Sequence, residues 1–290
     1  HLSVVVDDIA MRMTHVVRGD DHISNTPKQV LLYQAFGAAV PQFAHVPLIM
    51  GADKKRLSKR HGATSVMEYE RQGYVPGAMV NFLALLGWSP GNDDEVMSAA
   101  QLVERFTLEG ISTGNAVFNT EKLDWFNHQY LLAMSDDALT STVRPWLERA
   151  DLWHDDLAGA RAAWFHQVLA LLRPRAKKLG EFVEGARPFL VAPSDYDAEG
   201  RAKHLAAPGL ADHLRALRDA YAVLDPFTEA ALEQTLRSVA ETRGLKAGAL
   251  IHATRLALTG RTVSPGLFEM LRLLGRDEAL ARLDRLLGTL

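Results

Sequence analysis

The chain has 290 residues, of which 32 are Lys or Arg and 35 are Asp or Glu; its formal charge is −3, with 48% apolar and 23% charged residues. That balance fits one large core or two smaller ones and excludes a coiled-coil rod, a collagen-like chain, a mostly disordered chain and a uniformly basic nucleic-acid binder. With no Cys, disulfides and thiolate metal sites are excluded, the 11 His offer no His-x-x-x-His pair, and no apolar run reaches the roughly 18 residues of a membrane span.

In chain order, the Val-rich residues 2–6 predict a buried strand, entered in mid-course at His1. Residues 14–17 predict a second. The link between them is too short for a parallel crossover, so the pair is expected to be antiparallel. Asn25 or Thr26 caps a helix with Pro27 in its first turn, Val30, Leu31, Ala35 and Phe36 at helical spacing, and Gly37 as its stop. Residues 45–50 predict another strand, followed by a polar loop, 51–62. Helices are expected at 79–86, at 99–106 with Ser98 as cap, and from Thr120 onward with Leu123, Trp125 and Phe126. Beyond about residue 130 strand signals nearly vanish. Helices are predicted there at 136–150, 158–172, 178–189, 210–221, 226–242, 246–258 and 265–287, with Asp225-Pro226 and Ser264-Pro265 as helix starts. The fold class is α/β followed by an all-helical portion, with the boundary between 105 and 130.

Two segments carry chemistry on their residues alone. The loop 52–62, ADKKRLSKRHG, holds five positive residues and one negative. It reads as a solvated charge run or as a cradle for a phosphate chain. Its place after an apolar strand, its terminal Gly62 and Ser58 set between cations favour the cradle. It is not a Walker loop, because GxxxxGK[ST] is absent. The second segment is Arg18-Gly19-Asp20-Asp21-His22 at a strand end. Arg18 can clamp a carboxylate, and Asp20 and Asp21 can receive ribose hydroxyls or an ammonium. A turn held by an Arg–Asp pair is the equal alternative. Asp7-Asp8 suits Mg²⁺ by residue type or marks an ordinary end of strand, and no metal is assigned there.

Several motifs occur together: HLSVVVDD at 1–8, THVVRGDDH at 14–22, SNTPKQ at 24–29, HVPLI at 45–49, RLSKRHG at 56–62, NFLALLGWS at 81–89, KLDWFN at 122–127, LTG at 258–260 and SPGL at 264–267. In this order, across nearly the whole chain, they resemble bacterial-type glutamyl-tRNA synthetases, which are class I aminoacyl-tRNA synthetases. The resemblance implies that residues 1–62 are the late part of the class I nucleotide-binding fold with its KMSKS-type loop. Residues 63–129 are then a connecting helical region and 130–290 an all-helical anticodon-binding region. The activity implied is glutamate–tRNA ligation. ATP and glutamate form glutamyl-adenylate and pyrophosphate, and the tRNA 3′-terminal adenosine then attacks the activated carbonyl.

By the same resemblance, Lys59 and Ser58 are the catalytic pair. Lys59 stabilises charge on the departing pyrophosphate, and Arg56 stands where the family's loop form has Lys. Arg18, Asp21 and His22 are placed at the glutamate, and Lys59, His22, Leu48 and Ile49 at ATP. Arg173, Arg175, Lys177, Lys178, Lys246, Arg255, Ser264 and Pro265 are placed at tRNA, although the basic cluster 173–178 reads equally as a solvated helix face. The implied cosubstrate is ATP with Mg²⁺, with no zinc in this portion. Partners are glutamate tRNA and L-glutamate, without a membrane, and the protein is expected to be a cytoplasmic monomer. The family's HIGH motif lies upstream of the matched region and is not among these residues. The chain resembles the C-terminal three-fifths of a synthetase, with exposed sheet edges and apolar surface expected in its first part and no efficient adenylation expected from it alone. Three alternatives are weighed. Glutaminyl-tRNA synthetase ranks low because its anticodon portion is mainly β-barrel. The short glutamyl-queuosine relative lacks an anticodon domain. A tRNA-binding fragment without catalysis is the alternative of a different class.

Overall fold

A computed structural model of the chain describes residues 1–57 and 65–290. Its Val-rich start is helical, where a strand was expected. α1 (Leu2–Ala10) buries Val5 completely, and its Asp8 carboxylate accepts a 2.8 Å hydrogen bond from the Tyr33 hydroxyl on α2 (Thr26–Ala35). Burial and Asp8 push the Tyr33 phenol up to about 12. A Val costs a helix roughly 0.7 kcal/mol at most, so packing on α2 outweighs the β preference of the run. Arg12, at φ 56, ends the helix in the left-handed region. The expected antiparallel pair therefore does not exist. β1 (His15–Gly19) pairs in parallel with β2 (Gln42–Val46), with Arg18 opposite His45. α2 supplies the crossover that a parallel pair requires.

The expected strand 45–50 is two strands. Pro47, which has no N–H, follows β2, and β3 (Ile49–Met50) pairs in parallel with β4 (Ala116–Val117). Around them lie α3 (Val66–Arg71), α4 (Pro76–Ala84), α5 (Ala99–Arg105) and α6 (Thr120–Ala133). Ser98 caps α5 with a full capping box to Gln101. The motifs at 81–89 and 122–127 contain scaffold residues. Buried Asn81 accepts from the Met97 N–H at 2.7 Å and donates to the Glu95 carbonyl at 2.9 Å. Buried Asn127 accepts from the Val75 N–H at 2.8 Å and donates to the Gly73 carbonyl at 3.3 Å. The Trp88 indole donates to the Thr107 carbonyl at 3.1 Å. Leu31, Phe36, Met11 and Ile23 are exposed in this first part, as expected of apolar surface there.

The chain forms two compact units, His1–Tyr130 and Leu131–Leu290. The second contains no strand among the described residues. Its helices are α7 (Asp136–Arg149), α8 (Ala162–Leu172), α9 (Leu179–Leu190), α10 (Ala198–His204), α11 (Leu210–Ala222), α12 (Glu229–Thr242), α13 (Ala247–Thr259), α14 (Leu267–Leu274) and α15 (Arg276–Leu287). Leu214, Leu217, Leu236, Leu250, Leu256 and Leu283 meet in its core. Two expectations change. The single helix 265–287 is broken by Gly275 at φ 80, a conformation that favours Gly, and α14 begins only at Leu267. Asp225-Pro226 does not start α12; the Thr228 hydroxyl caps it by accepting from the Ala231 N–H. No helix among the described residues is long and apolar enough to cross a membrane.

Candidate functional site

In the first unit the chain brings four polar side chains together at the end of β1. Arg18 Nη2 donates to Thr26 Oγ1 at 2.7 Å and to Gln29 Oε1 at 2.8 Å, both on α2. Its guanidinium lies 5.4 Å from the centre of the Phe43 ring. Thr26 Oγ1 also bonds His45 Nε2 at 3.0 Å, which joins α2 to β2. Burial, with Arg18 and His22 beside it, holds the His45 imidazole below its ordinary pKa against the pull of Asp20. Arg18 Nε is buried without a hydrogen-bond partner. A buried guanidinium donor left open in this way is suited to an anionic acceptor. Thr26, Gln29 and His45 were not among the expected site residues. Their signal was present, since all three fall in the motifs at 24–29 and 45–49.

Asp21 does not pair with Arg18. Its Oδ2 accepts from Arg56 Nη2 at 2.8 Å, which ties Arg56 of the basic loop to the expected glutamate segment. His22 is exposed, with Nδ1 3.2 Å from the Asn25 amide nitrogen. The Leu48 carbonyl accepts from Ala116 N–H at 3.2 Å and the Ile49 carbonyl from Leu57 N–H at 2.8 Å. Each carbonyl therefore has at most one lone pair left for a ligand. Ser58 and Lys59, the expected catalytic pair, lie outside the described residues. Among the described residues no group of three or more His, Cys, Asp or Glu could hold a metal ion.

In the second unit the expected RNA contacts divide. Arg173 is mostly buried. It donates to the Met134 carbonyl at 3.0 Å and to Asp136 at 2.7 Å, and so clamps the start of α7. The Lys177 N–H donates to Glu181 at 2.8 Å, and Lys178 precedes α9 as its N-cap residue. Arg175 is exposed and lines a groove of about 320 Å³ together with Glu181, Glu184, Val263, Ser264 and Pro265. Two segments expected separately at tRNA thus meet in one groove. Arg255 stands behind it: Nε donates to Ser264 Oγ at 3.0 Å, and burial lowers the guanidinium pKa. Gly260, at φ 71, turns the chain out of α13, and its carbonyl accepts from the Asp197 N–H at 2.8 Å. Lys246 is exposed at the end of α13 opposite Thr259, which lines the groove.

Residues 138–287 match the family of anticodon binding domains, and residues 1–125 match the catalytic domain of class I tRNA synthetases (E and Q). The glutamate–tRNA ligase of Moorella thermoacetica is 44% identical over 285 residues, covering 98% of this chain and 58% of that protein. Glutamate–tRNA ligase 2 of Koribacter versatilis is 47% identical over 286 residues, covering 98% and 59%. The crystal structure of a glutamate tRNA ligase from Elizabethkingia meningosepticum in complex with its amino acid superposes with a TM-score of 0.86 at 29% identity, covering 99% of this chain and 59% of that one. The chain spans just under three-fifths of the length of the relatives it matches.

Proposed function

This chain belongs to the glutamate–tRNA ligase family of class I aminoacyl-tRNA synthetases, and from that membership we propose that it is a tRNA-binding portion of such a ligase without independent adenylation activity. The observation that carries the reading is the groove where Arg175, Ser264 and Pro265 converge. Its charges are mixed: Arg175 and Arg261 line it together with Glu181 and Glu184. A phosphate backbone would be repelled by the two carboxylates. Unpaired bases suit such a groove better, because their edges carry both donors and acceptors. Arg173 serves the fold, and Arg255 and Ser264 shape the wall of the groove. Residues 130–290 are therefore proposed as the anticodon-binding region, residues 63–129 as the connecting region and residues 1–62 as the late catalytic fold.

In the complete ligase, ATP with Mg²⁺ and L-glutamate are the proposed small partners. Arg18 is proposed to receive the glutamate carboxylate, a reading supported by its open buried Nε and by the bracing of Nη2 on Thr26 and Gln29. Asp21 and His22 are proposed beside glutamate and ATP, the backbone of Leu48 and Ile49 beside adenine, and Lys59 with Ser58 at the phosphates. The test of the RNA reading is Arg175→Glu. The variant is expected to bind glutamate tRNA about tenfold more weakly at moderate salt, with an unchanged unfolding midpoint, because Arg175 is exposed. Unchanged affinity in a filter-binding titration would remove the groove from the tRNA path.

A further inference from the structure

Two histidines distant in sequence meet beside the proposed anticodon groove. His204, the last residue of α10, stacks on His252 of α13 with ring centroids 4.4 Å apart and planes 20° from parallel. His252 Nδ1 lies 3.4 Å from Arg255 Nη1. A guanidinium can only donate, so this contact requires an unprotonated His252 Nδ1 acting as acceptor. Arg255 in turn donates to Ser264 Oγ at 3.0 Å, and that hydroxyl donates to the Pro265 carbonyl at 2.8 Å. A continuous chain of contacts thus runs from α10 through His252 and Arg255 to two residues that line the groove.

We propose that His252, held in the stack with His204, positions Arg255 only while His252 is neutral, so that acidification disorders the groove wall and weakens RNA binding by this unit. The inference rests on the RNA reading above. A proton on Nδ1 would turn the acceptor into a donor aimed at a cation. The charges acting on His252 are all of one sign: His204 and Lys203 from α10, and Arg255 from its own helix. No carboxylate pairs with His252 among the described residues. Burial first, and then these cations, hold its pKa below the ordinary imidazole value. The neutral, bonded form is therefore fully present above that ordinary value and is lost as pH falls through the lowered one. The sign distinguishes this from plain electrostatics, in which histidines gaining charge would strengthen binding to RNA.

The test measures affinity for glutamate tRNA from pH 7.5 downward through the titration of His252, followed by ¹⁵N spectroscopy, for the unaltered chain and for His252→Asn, whose amide oxygen can replace Nδ1 as an acceptor that does not titrate. The unaltered chain is expected to lose about tenfold in affinity on acidification, the weight of one hydrogen bond to a charged group, while His252→Asn loses little. Affinity of the unaltered chain that holds or rises as His252 becomes protonated would overturn the proposal, as would equal loss in the variant. ¹⁵N spectroscopy of the histidines without RNA is the second readout. It is expected to show His252 at neutral pH as the Nε2–H tautomer, and an Nδ1–H tautomer overturns the proposal whatever the RNA result. Absence of tRNA binding throughout the pH range with the expected tautomer would instead refute the RNA reading.

Discussion

Replacing Arg282 by Met is expected to cost the helical unit about 3–5 kcal/mol of folding free energy, the range seen when one partner of a buried charged network is removed. Arg282 is 2% exposed among the apolar residues of α15. Its Nε donates to Glu278 at 2.7 Å, and its Nη1 donates to the carbonyls of Pro188 at 2.5 Å and Leu258 at 2.6 Å. Those carbonyls lie in the last turns of α9 and α13, where no intrahelical N–H remains to pair with them. One guanidinium thus caps two helix ends from the middle of a third helix. Burial lowers its pKa and Glu278 pulls the other way. Met fills much of the same volume, so the expected loss comes from two stranded carbonyls and a freed carboxylate, not from a cavity. Arg282→Lys should recover only part of it, since an ammonium lacks the planar fork. Urea unfolding followed by circular dichroism measures the loss. A change under about 1 kcal/mol would mean that water satisfies both carbonyls.

The second large effect concerns the complete enzyme. In a full-length ligase carrying this sequence, Lys59→Ala is expected to lower glutamate-dependent ATP–pyrophosphate exchange by about 10²–10³-fold, as loss of one transition-state charge contact does elsewhere. The KM for glutamate should hardly move. Arg18→Ala is the counterpart: Arg18 is proposed at the substrate carboxylate, so its loss should appear first in that KM. The ion pair between Arg56 and Asp21 links Arg56 of the basic loop to the Arg18 segment. Both partners are at least partly exposed, so the pair itself adds little stability. Near-normal exchange by Lys59→Ala would take the charge stabilisation away from this residue.

The helices of both units were largely legible in the sequence because their signals are local. Apolar residues recur at helical spacing, Ser98 begins its own capping box, and Gly37 stops α2. Failures came where a distant partner decides the conformation. Nothing within residues 2–6 announces that Val5 will pack on α2, so a β-prone run became a helix. The pairing of β1 with β2 was likewise hidden, because its crossover is α2 itself. Of the candidate site, motif resemblance pointed to Arg18 and Asp21 near the end of β1 and to Arg175, Ser264 and Pro265, which line the groove. It did not distinguish Arg173, which serves the fold, from Arg175, which lines the groove. Burial and the bonds of Arg173 to Met134 and Asp136 separate those two. The stack of His204 on His252 joins residues nearly fifty positions apart, and α10, which carries His204, was not expected at all.

The most direct test of the account is equilibrium binding of this 290-residue chain to a glutamate tRNA transcript and to the same transcript with one anticodon base replaced. The expected result is binding to the first and at least about tenfold weaker binding to the second, because bases read singly in a groove each carry appreciable discrimination. Equal affinity for both transcripts, or no binding to either, would contradict it.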